Sequence, residues 1–253
     1  MILSSLVIGR GPVIIIIHGL FGEGVNWLSI GKELSANFEV HLIDQRNHGK
    51  SFHNSEHNYF VLADDLYRYI KAKKINTFSL IGHSMGGKVA IQFTLTYSNL
   101  VDKLMVVDIL PKKYQDKHNH IFNGLREVIK QSKSRKEASY ILERYVNDIV
   151  TTNFLLKGLY FSSDNEPKLK FNLNFLEQNI DNMLSFPEIK SSCNNEIHFI
   201  SGSRSNYIQK SDIKYMNTLF PSAQFIEIED AGHWVHFDKK KQFLDIVNKI
   251  LKL

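Results

Sequence analysis

Residues Thr77 to Gly87 read TFSLIGHSMGG. An apolar run, Thr77–Gly82, predicts a strand, and Met85–Tyr97 predicts a helix directly after it. Between them stands Gly82-His83-Ser84-Met85-Gly86, a G-x-S-x-G turn in the strand–turn–helix setting that gives the pattern its meaning. So sharp a turn admits only small residues two positions either side of the serine. It holds the Ser84 hydroxyl up at the end of a sheet, above a helix N-terminus that favours developing negative charge. Ser84 is therefore the candidate nucleophile.

On either side of this turn, short apolar runs alternate with amphipathic stretches, which predicts a parallel sheet with crossover helices. Strands are expected at Val13–His18, Glu39–Asp44, Lys103–Ile109, Glu196–Gly202 and Gln224–Glu229, beside the one before Ser84. The consecutive β-branched residues Val13 to Ile17 suit a strand buried on both faces. Further helices are expected at Tyr59–Lys73, Lys210–Leu219 and Lys239–Leu251. The first shows the 3.6-residue period in Leu62, Leu66, Tyr69 and Ile70.

The stretch from 112 to 193 is polar and rich in lysine and asparagine. It carries helical periodicity around Ile121–Ile129 and Ala138–Val150, with no convincing strand. A structureless loop of that length is improbable in a compact domain. The expected organisation is one α/β core, 1–111 with 194–253, and a helical cap at 112–193. Cap apolar residues such as Phe122 and Leu125 are expected to set acyl-length preference.

A tetrahedral intermediate needs backbone N–H donors from two separate loops. Met85, the residue after the serine, supplies one. His18-Gly19-Leu20-Phe21-Gly22 follows a buried strand, and Leu20 is the choice for the other. His18 itself reads as a structural hydrogen-bonder, as do His48 and His83. Phe21, Tyr207 and Trp234 flank these positions and are the expected substrate contacts.

Sites built on this elbow place an acid and then a histidine after the serine. Of 11 histidines, His233 follows the last strand at the same sheet edge as Ser84, with His236 as its rival. The acid's usual place, Ser201–Tyr207, contains no carboxylate, and Asn206 stands where an aspartate is expected. A neutral amide would orient an imidazole without stabilising its cation. The preceding strand ends in Val106-Val107-Asp108-Ile109. Parallel neighbours present their C-terminal ends together, and a charge interrupting an apolar run needs a partner. Asp108 is the expected acid and Asp212 the runner-up.

Composition excludes several classes. The 253 residues are 43% hydrophobic and 23% charged, an ordinary globule. One cysteine, Cys193, leaves no intrachain disulfide and no cysteine-based metal site; it reads as packed rather than reactive. The net charge of +5 is spread over predicted helices without a recognition motif, so a solvated face is preferred to a nucleic-acid surface. His118 and His120 have metal-like spacing but no carboxylate cluster; no metal and no cofactor are expected. No apolar run spans a bilayer and no secretory leader is evident, so the expected location is the cytoplasm.

Together, HGLFG (His18–Gly22), DQRNHGKS (Asp44–Ser51), GHSMGGK (Gly82–Lys88), VVDILP (Val106–Pro111) and AGHWVH (Ala231–His236) resemble the α/β-hydrolase superfamily. More narrowly, the chain is similar to the YbfF-type bacterial esterases and their mitochondrial abhydrolase relatives. The resemblance implies a small helical cap, an acid at Asp108, a structural Asp44, and hydrolysis of short- to medium-chain carboxylic esters or thioesters. Two other readings stay open. One is a triad-based lyase or C–C hydrolase acting on a keto-acid, which would call on arginines such as Arg126, Arg135 and Arg144. The other is a non-catalytic ligand-binding module.

Overall fold

The computed structural model describes residues 1–190 and 192–252. In chain order its strands are β1 (Ser5–Ile8), β2 (Val13–Ile17), β3 (Glu39–Ile43), β4 (Phe78–His83), β5 (Val101–Val107), β6 (Leu159–Phe161), β7 (Pro167–Leu169), β8 (Ile197–Gly202) and β9 (Gln224–Ile228). Core helices are α1 (Leu28–Leu34), α2 (Tyr59–Lys73) and α3 (Met85–Thr96). Between β5 and β8 come α4 (Asn119–Gln131), α5 (Arg135–Glu143), α6 (Ile149–Lys157), α7 (Leu173–Gln178) and α8 (Ile180–Leu184). The chain closes with α9 (Lys210–Leu219), α10 (Val235–Asp238) and α11 (Lys240–Leu251).

Seven strands form one sheet in the order β1-β3-β2-β4-β5-β8-β9. β1 runs antiparallel to β3, and every other pairing is parallel. This is the architecture expected from the alternation of apolar runs and amphipathic helices. The edge strand β1 is an addition to the expected strands; its short Leu6-Val7-Ile8 run precedes two glycines at positive φ, Gly9 and Gly11.

Side chains alternate across the pleat, and the core divides accordingly. Ile15, Ile17, Leu80 and Val106 pack with residues of α2 and α3 on one face. Ile14, Ile16, Ile81 and Val107 pack with Trp27, α1 and α11 on the other. Helix α2 begins where the Asn58 side chain accepts from the Phe60 and Val61 N–H groups, satisfying donors that the first turn leaves open.

The stretch between β5 and β8 has its own apolar cluster, in which Phe122, Leu125, Leu142, Leu155 and Leu176 are buried. Phe21, from the loop after β2, joins that cluster and sits against Phe122 and Phe171 at ring-centroid distances of 5.5 and 5.2 Å. One expectation fails here: the antiparallel hairpin β6–β7 interrupts the helices. Its three-residue strands pair only with each other, too short for a period-2 pattern to stand out.

Register brings the functional loops together. Ile17 pairs with Gly82, His83 with Val107, Val107 with Ile200, and Gly202 with Ile228. The loops after β2, β4, β5, β8 and β9 therefore emerge along one edge of the sheet, where open parallel sheets bind ligands.

Candidate active site

Ser84 occupies the turn between β4 and α3 with φ 53° and ψ −122°, a region that side-chain-bearing residues rarely adopt. A Cβ on Gly82 would stand 2.3 Å from the Gly86 carbonyl oxygen, and one on Gly86 would stand 2.5 Å from the His18 and Ile17 oxygens. Glycine at both positions is thus a steric requirement. The Ser84 N–H donates to Val107 O at 3.0 Å, tying the turn to β5.

Asp108 follows β5 at φ 51° and is 0% exposed. It lies one residue past the strand rather than inside it, as the longer strand expected from sequence would have had it. Its Oδ2 is 2.6 Å from His233 Nδ1 and also accepts from the Ser205 hydroxyl. Its Oδ1 receives the Gly202 N–H at 3.4 Å. The acceptors are all on Asp108, so Nδ1 of His233 carries the proton of that bond and leaves Nε2 free to take another. The Tyr207 ring stacks on the His233 ring at 4.1 Å and 20°. No hydrogen bond joins Ser84 Oγ to His233; such contacts often tighten only when substrate is bound.

The rivals are employed elsewhere. Asp212 pairs with Lys112 at 2.5 Å and accepts the Gln209 N–H at the start of α9. Asn206 is exposed and contacts neither His233 nor Asp108 by hydrogen bond. His236 is stacked on Trp27 at 3.7 Å and 15°, and burial pushes its pKa down to about 3. His83 is fully buried, donates Nε2–H to the His233 carbonyl at 2.9 Å, and has its pKa depressed by burial and by His233.

The glycine loop after β2 is held by two histidines. His18 donates Nδ1–H to Gly19 O at 2.7 Å and accepts the Gln45 N–H on Nε2 at 3.1 Å. His48 donates to Arg46 O at 2.9 Å and accepts the Phe21 N–H at 3.2 Å. The Gly22 N–H is taken by Gly19 O at 3.1 Å. With Phe21 and Gly22 so committed, Leu20 N–H has no acceptor among the described residues. Met85 N–H, at the first position of α3, has no intrahelical acceptor either.

These groups face one cavity of about 700 Å³, lined by Leu20, Ser84, Met85 and His233 and also by the expected contacts Phe21, Tyr207 and Trp234. The opposite wall comes from the α4–α8 stretch and includes Ile121, Phe154, Leu155 and Met183. Phe122 and Leu125 do not reach the cavity. They face inward to the cluster around Phe21, so the α4 side chain that meets the cavity is Ile121. The arrangement can take a proton from a serine, hold an imidazolium beside a buried carboxylate, and offer two unmet N–H groups to an oxyanion.

Two contributors escaped sequence reasoning. Ser205 gives Asp108 a donor from the loop where a carboxylate is usually sought. Lys88, 1% exposed on α3, donates to the carbonyls of Met183 (3.2 Å), Leu184 (3.0 Å) and Ser185 (2.8 Å) at the end of α8. Burial pushes its pKa down to about 7. The lysine in GHSMGGK was the only available signal, and its direction could not be read from the chain.

Fold and strand-end cluster together are those of an α/β hydrolase. The family model described as alpha/beta hydrolase fold matches residues 12–240, and the chain belongs to that family. Within it the chain is a hydrolase of esterase/lipase type. It is 37% identical to a marine microorganism esterase of solved structure, with a TM-score of 0.95 and 99% of each chain covered. It is 34% identical to the sn-1-specific diacylglycerol lipase ABHD11 of Danio rerio, covering 96% of this chain and 80% of that one. It is 30% identical to the esterase YbfF of Escherichia coli, covering 94% of this chain and 92% of the other. No helix among the described residues is long and apolar enough to cross a membrane.

Proposed function

We propose that the chain is a serine carboxylic-ester hydrolase working through an acyl-enzyme, with short- to medium-chain esters and thioesters as substrates. The observation that carries this reading is Ser84, held in a strained turn on the same cavity as a histidine bonded at 2.6 Å to a buried aspartate. His233 Nε2 takes the Ser84 proton as Oγ attacks the carbonyl carbon. The Leu20 and Met85 N–H groups hold the oxyanion. The same imidazole returns the proton to the leaving oxygen, then activates water to release the acid. Asp108 keeps the ring in the required tautomer and balances its charge.

The segment 112–193 serves as the cap of this site, and its apolar wall of Ile121, Phe154 and Met183 receives the acyl chain. A cavity of about 700 Å³ is of the size that takes a drug-sized molecule. The relatives named esterase and lipase act in the same direction. The keto-acid reading has less behind it: none of Arg126, Arg135 and Arg144 lines the cavity, and Arg204, which does, is exposed and donates to the Asp230 carbonyl.

A fluorophosphonate label tests the proposal. Mass spectrometry should find it on the peptide carrying Ser84, and p-nitrophenyl butyrate should show burst release of nitrophenol. Labelling of some other residue, or none, overturns it.

A further inference from the structure

A second cavity, of about 150 Å³, adjoins the first. Gly19, His83, Val150, Phe154 and Trp234 wall both. Its own walls include Trp27, His236 and Phe237, and it reaches the surface beside Ser29 and Asn153. Its volume matches an apolar cavity known to hold a benzene ring.

His236 gives this cavity its chemistry. The residue is 8% exposed, its Nδ1 is fully buried without a partner, and no described residue hydrogen-bonds its Nε2. Burial keeps the ring neutral at ordinary pH, so it offers one N–H donor and one acceptor. Buried polar atoms are nearly always matched. Nδ1 is closed off by protein, so Nε2 is the nitrogen that a ligand in the cavity can reach, and its lack of a described protein partner points to a polar group of a ligand.

Position decides which half of an ester enters. The leaving oxygen must lie within reach of the imidazole that returns its proton. His83 and Trp234, shared walls of the two cavities, pack on His233 at ring-centroid distances of 4.7 and 5.6 Å. His236 in turn lies 5.0 Å from His83, so His83 stands against both the imidazole of the reacting centre and the imidazole of the smaller cavity.

Resting on the ester-hydrolase reading above, we propose that the smaller cavity binds the alcohol half of the substrate, a leaving group no larger than one six-membered ring and bearing a second hydroxyl that His236 meets. When Ser84 Oγ forms its bond to the acyl carbon, the bond from that carbon to the alcohol oxygen breaks. The proton held by His233 passes to that oxygen, and the neutral alcohol is left in the smaller cavity.

The test compares butyrate esters of four alcohols of similar acidity: ethanol, benzyl alcohol, 1,3-benzenedimethanol (as its monoester) and naphthylmethanol. Wild-type kcat/KM should favour the benzenedimethanol ester over the benzyl ester by about fivefold, the worth of one ordinary hydrogen bond. The naphthylmethyl ester should be at least tenfold poorer than the benzyl ester. His236→Phe, which keeps a ring on Trp27, should bring the first ratio near one. Asn153→Phe, narrowing the mouth, should lower both benzyl-type esters relative to ethyl butyrate. Equal ratios in wild type and His236→Phe, or a well-used naphthylmethyl ester, overturn the proposal.

A binding arm is independent of turnover. Both tryptophans of the chain, Trp27 and Trp234, line the smaller cavity. In Ser84→Ala protein, 1,3-benzenedimethanol should change their fluorescence saturably, and adding His236→Phe should weaken the apparent affinity about fivefold. A linear, non-saturating response counts against the cavity. If the wild type hydrolyses none of the four esters, the ester reading has failed, and the titration alone decides the cavity.

Discussion

Asp108 and His233 stand 125 residues apart in the chain and 2.6 Å apart in the structure. The aspartate is fully buried and accepts from three donors, His233, Ser205 and Gly202. Asp108→Asn keeps the shape but allows the amide to donate where it should accept. The variant should lose about 10⁴ in kcat, the penalty known for neutralising a triad aspartate. Asp212→Asn and Asn206→Ala should each cost less than about tenfold, because neither touches the imidazole. Steady-state kinetics on p-nitrophenyl butyrate give the ranking, and a crippled Asp212→Asn beside a mild Asp108→Asn would reverse the assignment.

His233→Ala should be as damaging as the loss of Asp108. His236→Ala should leave p-nitrophenyl acetate turnover within roughly tenfold while lowering the melting temperature, since it removes a ring stacked on Trp27. The two variants separate a chemical role from a packing role, and reversed severities would exchange their assignments.

Ser84 carries strain that serine cannot relieve at φ 53°. Such backbone conformations cost on the order of 1–3 kcal/mol, against about 0.5–1 kcal/mol for the added freedom of glycine when unfolded. Ser84→Gly should therefore be about 1 kcal/mol more stable than Ser84→Ala, with neither retaining more than about a thousandth of wild-type kcat. Urea unfolding and single-turnover assays read the two halves of the prediction. Substantial turnover in either variant removes Ser84 from its proposed role.

Acyl-length preference should answer to the cavity wall. Ile121→Ala and Met183→Ala should favour longer acyl chains relative to acetate in a series of p-nitrophenyl esters. Phe122→Ala should act on stability, losing about 3–5 kcal/mol, because its ring is buried against Phe21 rather than facing substrate. A length shift in Phe122→Ala without destabilisation would contradict this division.

Several buried histidines should make the fold acid-sensitive. Burial, with Arg46 adding to it, lowers His57 to about 3, and burial lowers His236 to about 3; His18, His48 and His83 are depressed as well. Their unfolded value is near 6.5. Between about pH 6.5 and 3 the unfolded chain binds protons that the folded chain refuses, so stability falls as pH falls through that window. Urea unfolding from pH 7 to 4 should show it. His57→Phe or His236→Phe should each flatten the slope by up to about 1.4 kcal/mol per pH unit. An unchanged slope in both would show that other groups govern acid unfolding.

The features legible along the chain are local ones. The elbow follows from Gly82, Ser84 and Gly86, since its sterics are settled within five residues and the helix that follows begins at once. The parallel sheet follows from apolar runs such as Val13–Ile17, because a strand buried on both faces has no polar side to alternate. The absence of a carboxylate in Ser201–Tyr207 is equally plain, and it leaves Asp108, at the end of the neighbouring strand, as the nearest carboxylate in the pattern. Tertiary structure decided the rest. Which histidine meets that carboxylate depends on the exits of β5 and β9, and the two histidines of AGHWVH are chemically identical until Trp27 captures one of them. Phe122 and Ile121 are neighbours on one helix, and only the packing of Phe21 decides that the first faces the apolar cluster of the 112–193 stretch and the second the cavity. Ser205 and Lys88 find Asp108 and the end of α8 across about a hundred residues. Such contacts come from the packing of the whole sheet against the α4–α8 stretch, and no spacing along the chain encodes them.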